Sequence, residues 1–389
     1  KMKLTFIHDF PAQYSQINRE YYSAGFNYKI WQRYLSVFDS MIIVSRVVQN
    51  VSTQNKNISS GERVRFKPIE KYKSIPSLLL HSKEIRSQIE EVIKESEAIL
   101  IRVPSVLGFI AADVCRKLRK PYMVEVVGAA FDAYWYYGNM KGKMLAPIIE
   151  KLQQKTVRHA SVAIYVTSNY LQSKYKTDGK AFNGISNVEI FENDIDGKIN
   201  NPDSEDKVKI GLVGSTYTKY KGHITALKAL EILKKKYGES LQMEFVGQGL
   251  SKRISQFIEK HNLKDNVLYR GVIYDRELLD DWYKSLTLYI QPSLTEGHCR
   301  SIVEAISKGV PTLASSVGGN EDSVSRKYLF KAENSRELAS LIDMLLNDKR
   351  EKEKNIKQNT TNILRYDKNK VQVMREEALK DFKLKLEDK

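Results

Sequence analysis

A predicted strand, a loop and a predicted helix follow one another in Gln291-Pro292-Ser293-Leu294-Thr295-Glu296-Gly297-His298-Cys299-Arg300-Ser301-Ile302-Val303-Glu304-Ala305. Open α/β sheets bind ligands beyond the carboxyl ends of their strands, so this junction predicts a binding site. Glu296 in the loop and Glu304 in the first helical turn can reach one ligand from two sides. Each carboxylate also has a structural explanation, because Ser301 and Glu304 fit a capping box and Glu296 fits an exposed loop acid.

Two earlier strand-to-helix junctions have the composition of phosphate-binding loops. Residues 211–223 place Lys221 just before a helix, where an ammonium group can neutralise a diphosphate; a solvated loop lysine is the alternative. This is not a Walker loop, because no Gly-Lys-Ser/Thr sequence closes it. The second junction, Val246-Gly247-Gln248-Gly249, is half of a dinucleotide fingerprint, and a tight turn explains it equally well.

Short β-branched segments alternate with amphipathic ones along the chain, which predicts βαβ units on two mostly parallel sheets. In the first half the predicted strands are 3–8, 40–45, 98–103, 122–127, 162–166 and 184–188, and the predicted helices are 18–38, 82–95, 106–117, 143–159 and 168–175. In the second half the predicted strands are 208–213, 241–246, 267–269, 286–291 and 312–314. A polar segment, 192–207, predicts a linker between an N-terminal domain, 1–191, and a second domain, 208–365, followed by a C-terminal helical segment, 366–389.

The length, charge and cysteine count limit the classes of protein to which the chain can belong. The 389 residues predict two or three domains, and the formal net charge of +16 indicates a negatively charged partner such as a phosphate, a nucleic acid or an anionic membrane. No run approaches the roughly 18 apolar residues of a membrane span, and the start shows no secretion signal. Two cysteines are too few for a disulfide framework or a structural zinc site. We expect a cytoplasmic protein. Peripheral attachment to the inner face of the plasma membrane is compatible with this location.

The stretch 209–323 resembles the nucleotide-sugar-binding domain of GT-B glycosyltransferases of family four, the glycosyl transferases group one, of the bacterial polysaccharide-assembly type. The matching residues are Val213-Gly214, Lys221-Gly222, Val246-Gly247-Gln248-Gly249, Gly271-Val272, Pro292-Ser293, Glu296-Gly297, Glu304-Ala305, Gly309-Val310-Pro311 and Gly318-Gly319 with Glu321. The first half is a weaker match, through Tyr165-Val166-Thr167 and Ser186-Asn187-Val188-Glu189. The resemblance implies an α/β fold of two doubly wound Rossmann-like domains facing a cleft, with a C-terminal helix crossing back to the first domain.

The resemblance also implies an activity, the retaining transfer of a sugar from a nucleotide-diphosphate sugar to a glycan hydroxyl in surface or capsular polysaccharide synthesis, without a cofactor or an essential metal. It implies that Glu296 faces the donor sugar, Glu304 holds the ribose hydroxyls and Lys221 meets the diphosphate. The other donor-binding residues that it implies are Gly214, Ser215, Lys219, Gly247, Val272, Gly297, His298, Arg300 and Ser301.

The sequence departs from the family pattern in three places. Ser215 stands where many members have an arginine, and His298-Cys299 stand where many have Phe-Gly. No histidine follows the fourth strand, so Asp132 is the nearest candidate for a catalytic side chain that orients the acceptor hydroxyl; a loop or cap aspartate is the alternative. Cys299 is predicted to be a packing residue, because this chemistry needs no thiol.

Two other classes of protein compete with the transferase. The departures at Ser215 and at the missing histidine allow a catalytically silent paralogue that binds glycans or proteins. Nucleic-acid binding would use the positive charge, but no helix-turn-helix, zinc-finger or RNP signature is present, so we expect no nucleic-acid partner.

Two groups of aromatic residues in the first half bear on a membrane partner. Phe26, Ile30, Tyr34 and Phe38 repeat at helical spacing, which favours a core face. The second group is Phe131, Tyr134, Trp135, Tyr136 and Tyr137, followed by Lys141 and Lys143. Rings beside lysines suit an anionic bilayer interface or a sugar-stacking groove, and a lipid-linked glycan acceptor would use both. We therefore predict salt-sensitive attachment to anionic membranes through the first domain.

Overall fold

The computed structural model describes residues 2–49, 57–136, 140–195, 197–199 and 207–387. Its contacts divide the chain into two compact units. Unit 1 comprises Lys1–Ala130, Ile148–Ile185 and Val371–Lys389, and unit 2 comprises Phe131–Pro147 and Ser186–Lys370. This division differs from the predicted boundaries, because it places Phe131–Pro147 and the segment after Ser186 with the second unit. Half of the predicted linker, residues 196 and 200–206, lies outside the described residues.

Up to Ile185 the chain forms most of the predicted strands and helices, together with the short strands β2, β4 and β5, which the sequence does not predict. The strands are β1 (Lys3–Ser15), β2 (Glu20–Ser23), β3 (Ser40–Gln49), β4 (Asn57–Ile58), β5 (Val64–Phe66), β6 (Ala98–Val103), β7 (Met123–Val126), β8 (Val162–Tyr165) and β9 (Lys180–Phe182). The helices are α1 (Tyr28–Leu35), α2 (Ile75–Leu80), α3 (Ser82–Glu95), α4 (Val106–Lys117), α5 (Ala130–Trp135), α6 (Met140–Arg158) and α7 (Tyr170–Lys174). β1 pairs in parallel with both β3 and β6, and β7, β8 and β9 follow β6 in parallel.

Two predicted elements of the first half are wrong. The predicted helix 18–38 begins only at Tyr28, because Glu20–Ser23 forms β2 and pairs antiparallel with the end of β1, which runs on to Ser15. The side chain of Asn27 accepts a hydrogen bond from the Ile30 N–H and so starts α1 there. The predicted strand 184–188 does not form, since the edge strand is Lys180–Phe182.

The core of unit 1 is rich in aromatic side chains and includes the last helix, α14 (Lys368–Glu387). Tyr34 and Phe38 are buried in this core, with Phe26 and Ile30 packed against it, so the core interpretation of that group is confirmed. α14 contributes the buried side chains Val371, Ala378, Leu379 and Phe382 to the same cluster. The C-terminal helix therefore completes the first domain, as the resemblance implies.

Unit 2 contains a parallel sheet of the order β12-β11-β10-β13-β14-β15. Its strands are β10 (Val208–Val213), β11 (Leu241–Val246), β12 (Val267–Gly271), β13 (Leu288–Gln291), β14 (Thr312–Ser315) and β15 (Leu329–Phe330). Its helices are α8 (His223–Tyr237), α9 (Lys252–Lys260), α10 (Arg276–Lys284), α11 (Arg300–Ser307), α12 (Ser335–Asn347) and α13 (Lys349–Ile363). The strand order reverses beside β10, which makes this a doubly wound sheet.

In the part of the chain that the structure describes, no helix is both long and apolar enough to cross a membrane.

Phe382 tests the contribution of α14 to unit 1. Its side chain is fully buried, so Phe382→Ala is expected to lower the free energy of unfolding by about 3–5 kcal/mol. Leu384 on the same helix is 59% exposed, and Leu384→Ala is expected to cost less than about 0.5 kcal/mol. Urea unfolding followed by circular dichroism measures both, and equal losses in the two variants would contradict the assignment.

His223 gives a test of pH dependence in unit 2. It begins α8, it is 1% exposed and its ring lies edge-on to Phe245, with the ring centroids 4.9 Å apart. Burial is the largest cause that lowers the pKa of His223, to about 4 from an ordinary value of 6.5. Between these values the unfolded chain binds the proton and the folded chain does not. The free energy of unfolding therefore falls as pH drops from about 6.5 to 4, by up to about 3 kcal/mol.

We expect His223→Leu to reduce this acid sensitivity in urea unfolding at pH 7, 6 and 5. The control is His159→Leu, at an exposed histidine, which should keep the slope of the wild type. An unchanged slope in the His223 variant would show that other groups cause the acid sensitivity.

Candidate functional site

The reversal of strand order places two loops side by side in unit 2. β10 pairs with β11 on one side and with β13 on the other, so the chain leaves the carboxyl ends of β10 and β13 in opposite directions. Such a switch point opens a crevice in which doubly wound sheets bind their ligands. The loop after β10 carries Lys221, and the loop after β13 carries Glu296.

An ion pair joins these two loops. Lys221 Nζ lies 2.6 Å from Glu296 Oε1, and the two side chains are only 18% and 8% exposed. Burial is the largest cause and lowers the pKa of Lys221, but Glu296, Cys299 and Tyr220 together raise that pKa above its ordinary value. The ammonium group is therefore charged throughout the neutral range. Glu296 is not an exposed loop acid, and Lys221 is not a solvated loop lysine.

A network of buried hydrogen bonds fixes the position of the Glu296 carboxylate. The Ser293 hydroxyl donates to Glu296 Oε1 at 2.7 Å and itself accepts from Gln291 Nε2 at 2.9 Å. The side-chain oxygen Oε1 of Gln291 accepts from the Tyr289 hydroxyl at 2.6 Å and from the Ser301 hydroxyl at 3.3 Å. Because the Gln291 amide occupies the Ser293 oxygen, the Ser293 hydrogen is directed at the carboxylate. This arrangement holds one carboxylate oxygen in place.

Two glycines allow the loops to approach one another. Gly222 has a φ of 77°, and a Cβ there would lie 1.8 Å from the carbonyl oxygen of Pro292. Gly318 has a φ of 54°, and a Cβ there would lie 1.7 Å from the carbonyl oxygen of Glu296. Any larger residue would push away the backbone on which Glu296 stands. A hydrogen bond also fixes Gly297, because its carbonyl oxygen accepts from the Gly319 N–H at 2.8 Å.

Glu304 has two partners that the sequence reasoning missed. Its Oε1 accepts from Arg276 Nη1 at 2.8 Å, and its Oε2 accepts from the Tyr283 hydroxyl at 3.1 Å. The Ser301 hydroxyl contacts Gln291 instead of capping the helix, and α11 begins at Arg300 without a side-chain cap. The capping-box explanation is therefore wrong. Sequence spacing alone does not bring Arg276 and Tyr283 to Glu304, since α10 and α11 are separate elements.

Three predicted donor-binding residues, Gly214, Ser215 and Gly247, belong to the loops after β10 and β11. The Gly214 N–H donates to the Val246 carbonyl oxygen at 2.8 Å, and a Cβ on Gly247 would lie 2.3 Å from the Gly214 oxygen. The Ser215 hydroxyl donates to the Gln248 carbonyl oxygen at 3.0 Å. Among the other predicted donor-binding residues, Lys219, Val272 and Arg300 are exposed.

His298 and Cys299 are packed residues. His298 Nδ1 lies 3.2 Å from the Ser186 hydroxyl, and its ring lies edge-on to Tyr366 at 4.5 Å. Burial lowers the pKa of His298 to about 4, so the ring is neutral at pH 7. Burial raises the pKa of the Cys299 thiol to about 11, and the side chain belongs to the hydrophobic core of unit 2, as the packing prediction requires.

Asp132 contacts the loop after β13. Its Oδ2 accepts from the Thr295 hydroxyl at 2.9 Å, one residue before Glu296. Asp132 is grouped with unit 2, although in the sequence it lies between the fourth and fifth predicted strands of the first half. Its predicted role toward an acceptor stays a prediction.

Within the described ranges, no three side chains of His, Cys, Asp or Glu are arranged to hold a metal ion. The expected absence of a metal and of a cofactor stays a prediction.

Comparisons with known proteins agree with this geometry. The family model described as glycosyl transferases group 1 matches residues 194–363, which span both loops. Protein CapJ of Staphylococcus aureus is 50% identical over 388 residues, covering 100% of this chain and 97% of that protein. Anabaena Alr3699/HepE in complex with UDP-glucose has a TM-score of 0.65 at 15% identity, with 98% of this chain and 100% of that one covered.

A second solved structure extends the likeness in fold. Trehalose 6-phosphate synthase from Burkholderia multivorans has a TM-score of 0.68 at 10% identity over 98% of each chain. The chain therefore has the GT-B fold and belongs to the glycosyl transferases group 1.

Proposed function

We propose that this glycosyltransferase moves a sugar from a nucleoside-diphosphate sugar to a hydroxyl of a growing glycan, with retention of configuration at the anomeric carbon. The Lys221–Glu296 pair carries this proposal, because it puts one cation and one carboxylate at the switch point of the second domain. A structure of similar fold, Alr3699/HepE, is solved with UDP and with UDP-glucose, which supports this class of donor.

The chemistry follows from the charge of the leaving group. Breaking the glycosidic bond leaves negative charge on a nucleoside diphosphate, and a fixed cation in a partly buried site stabilises that charge. Lys221 supplies the cation, and the uncapped amide groups at the start of α11 supply further donors. Glu296, held by Ser293, is assigned to the donor sugar, and Asp132 is assigned to the acceptor hydroxyl. No step requires a metal or a cofactor.

Glu304 is assigned to the ribose of the donor. A carboxylate can accept from two neighbouring hydroxyls, and Arg276 and Tyr283, which each donate to one oxygen of Glu304, fix the position of that carboxylate. The backbone around Val272 is assigned to the base.

The acceptor is proposed to be a surface or capsular glycan, including a lipid-linked form, and the site of action the cytoplasmic face of the membrane. These assignments rest on the resemblance to bacterial polysaccharide-assembly enzymes. A relative that shares half its residues with this chain bears the name CapJ.

The first experiment identifies the donor. A thermal-shift screen of the purified protein against nucleoside diphosphates and their sugars should show a rise in melting temperature for one base, because a ligand of the native state stabilises it. Transfer or hydrolysis of that donor, with the anomer of the first product read by NMR, then tests the reaction. An inverted product would refute retention. Binding without turnover would favour the catalytically silent paralogue that Ser215 in place of arginine allows.

Lys221→Ala tests the leaving-group cation. We expect a loss of about 2–4 kcal/mol of transition-state stabilisation, which is roughly a 30- to 1000-fold fall in kcat/KM. Lys228→Ala, at an exposed lysine of α8, is the matched control and should keep wild-type kinetics. Equal kinetics in the two variants would assign the leaving group to other donors.

Substitutions of the two glutamates should separate binding from turnover. Glu304→Gln is expected to raise KM about tenfold, because the ribose contact is the same in the ground state and in the transition state. Glu296→Gln is expected mainly to lower kcat. Steady-state kinetics with the identified donor measures both, with Glu259→Gln, at an exposed residue of α9, as the control. Unchanged constants in both variants would leave Glu296 and Glu304 with structural roles only.

A further inference from the structure

A cleft in unit 1 is lined only by polar and charged side chains. It has a volume of about 380 Å³ and lies between the end of α6 and the end of α7. This volume falls within the range of small-molecule sites. All of its lining residues belong to unit 1, so the cleft forms within one compact unit.

Hydrogen bonds fix the walls of this cleft. The Glu150 carboxylate on α6 accepts from the Tyr175 hydroxyl at 2.6 Å, and Tyr175 is fully buried directly after α7. Beyond α7, the Thr177 hydroxyl donates to the Ala160 carbonyl oxygen at 3.0 Å. Gly179 permits this approach, because a Cβ there would lie 2.3 Å from the same carbonyl oxygen. The cleft is therefore already formed in the folded unit.

Five cations line the cleft and outnumber the acids beside it. The acids are Glu150, whose Oε1 lies 3.8 Å from Lys174 Nζ, and Asp178, whose Oδ1 lies 3.9 Å from Arg158 Nε. Neither acid lines the cleft. Among the residues that the structure describes, no acid forms an ion pair with the other three cations, which are Lys151, Lys155 and Lys176.

Helix dipoles account for only part of this charge. Lys155 and Arg158 lie in the last turn of α6 and Lys174 in the last turn of α7, where cations stabilise a helix. Lys151 lies about two turns before the end of α6, and Lys176 lies beyond α7. Helix stabilisation does not explain these two charges. Like charges around one cleft repel one another, and a bound anion would remove that repulsion.

The other lining groups select the chemistry of the anion. Gln154 supplies an amide group and Ser173 a hydroxyl group. No aliphatic residue and no Phe, Tyr or Trp lines the cleft, so an acyl chain would find no apolar surface and a nucleobase no such ring to stack on. A saccharide that carries acidic groups matches the lining, because its hydroxyls suit the amide and the hydroxyl and its charges suit the cations.

The cations on α6 follow a row. Lys151, Lys155 and Arg158 are separated by four and three positions, which places them on one side of the helix. They span about 10 Å along the helix axis. Lys174 and Lys176 come from α7 and the segment after it, on the other side of the cleft. A row of this length suits several charges along a chain, whereas a single phosphate ion would contact only part of it.

We propose that this cleft binds an anionic saccharide, a chain of sugars that carries carboxylate or phosphate groups. The cleft lies at the edge of the sheet where β8 begins, since α6 ends at Arg158 and β8 starts at Val162. Doubly wound sheets bind their ligands at the opposite edge, beyond the carboxyl ends of the strands. The cleft is therefore a second site in unit 1. Only the identification of this saccharide with the growing glycan rests on the proposed function.

The cleft is not part of the aromatic group that the sequence connects with a membrane. Phe131 and Trp135 belong to unit 2, where their rings stack with centroids 5.3 Å apart. Lys143 Nζ lies 5.3 Å from the Trp135 centroid. Tyr137 lies outside the described residues. The salt-sensitive attachment to anionic membranes stays a prediction.

Fluorescence anisotropy with the full chain tests the proposal without any donor. One probe is a labelled tetramer of galacturonic acid, and a second is a labelled mannose pentamer that bears a phosphate. The neutral reference is a labelled tetramer of glucose. We expect at least one acidic probe to bind at least tenfold more tightly than the neutral tetramer. High sodium chloride should weaken that binding at least tenfold, because salt screens exposed charges. The tighter of the two acidic probes identifies the charged group.

Two triple variants test the cations of the cleft. Glutamine at all three positions removes the charges and should weaken binding of the acidic probe at least tenfold. Arginine at the same positions keeps the charges and should bind to within about threefold of the wild type. The positions are Lys151, Lys155 and Lys176, which are all exposed.

A matched control removes the effect of net charge. Lys228→Gln with Lys235→Gln and Lys260→Gln makes the same change of charge at exposed lysines of α8 and α9. This control should bind the acidic probe to within about threefold of the wild type. Circular dichroism confirms that each variant folds.

Hydrogen exchange locates the bound probe. Saturation with the tighter acidic probe should slow exchange in residues 150–160 and 172–178. Any of four results would overturn the proposal, namely equal affinity for acidic and neutral probes, no binding of either acidic probe at low salt, a loss in the control as large as that in the glutamine variant, and protection confined to other segments. Tighter binding of a single-stranded oligonucleotide of equal charge would also overturn it, because the site would then favour nucleic acid.

Discussion

The contact between the Lys221 ammonium and the Glu296 carboxylate is the constraint on which the second domain's site depends. Removing two charges from water is costly, and their attraction offsets that cost only when the geometry is good and the remaining hydrogen bonds are made. Here Ser293 makes one of them, and the Tyr220 ring lies 5.2 Å from Lys221 Nζ. Loss of either partner would leave a charge without compensation. The pair therefore holds the loops after β10 and β13 together.

The pair also sets the electrostatics of the crevice. A cation already paired with a carboxylate adds no net positive charge, so an arriving diphosphate needs further donors. Three helices begin at this edge of the sheet, and none of the residues at their N-cap positions, Gly222, Ser251 and Cys299, makes a side-chain cap. Helix starts that no side chain caps suit the binding of an anion. For the diphosphate that we propose, this arrangement supplies donors where Ser215 stands in place of an arginine.

The fold was predictable where burial dictates composition. Central parallel strands are apolar on both faces and end at glycine or proline, so β6, β10 and β11 were predicted at their observed bounds. The segment 18–38 was harder, because its aromatic residues suit a helix or a strand, and only the extended end of β1 selects a strand for Glu20–Ser23. The edge strand β9 has three residues, and two of them are exposed. Its composition therefore gives no clear sign of a strand. β9 lies at a sheet edge, and β2 pairs only with the end of β1 and with the two-residue β4, so tertiary context decides the pairing in both places.

The difference between what local sequence determines and what tertiary context determines also applies to the site. Lys221 and Glu296 were predicted because each stands in a recognisable junction, but the distance between them follows from the order of β10 and β13. The partners of Glu304 depend on packing between α10 and α11, and no spacing in the sequence encodes it. Asp132 was a candidate by position alone, and its contact with Thr295 is a tertiary fact. Sequence motifs thus locate the reactive groups, while the topology of the sheet decides which of them meet.

The net charge of the chain shows the sign of a partner's charge, whereas the structure shows which cations are paired. An excess of +16 indicates an anionic partner but gives no position for it. The structure separates cations that are already compensated from cations that are not. Lys221 is neutralised by Glu296, whereas the five cations that line the cleft between α6 and α7 in unit 1 outnumber the two acids beside it. A paired charge in a crevice suits the recognition of one ligand group, because its geometry is fixed.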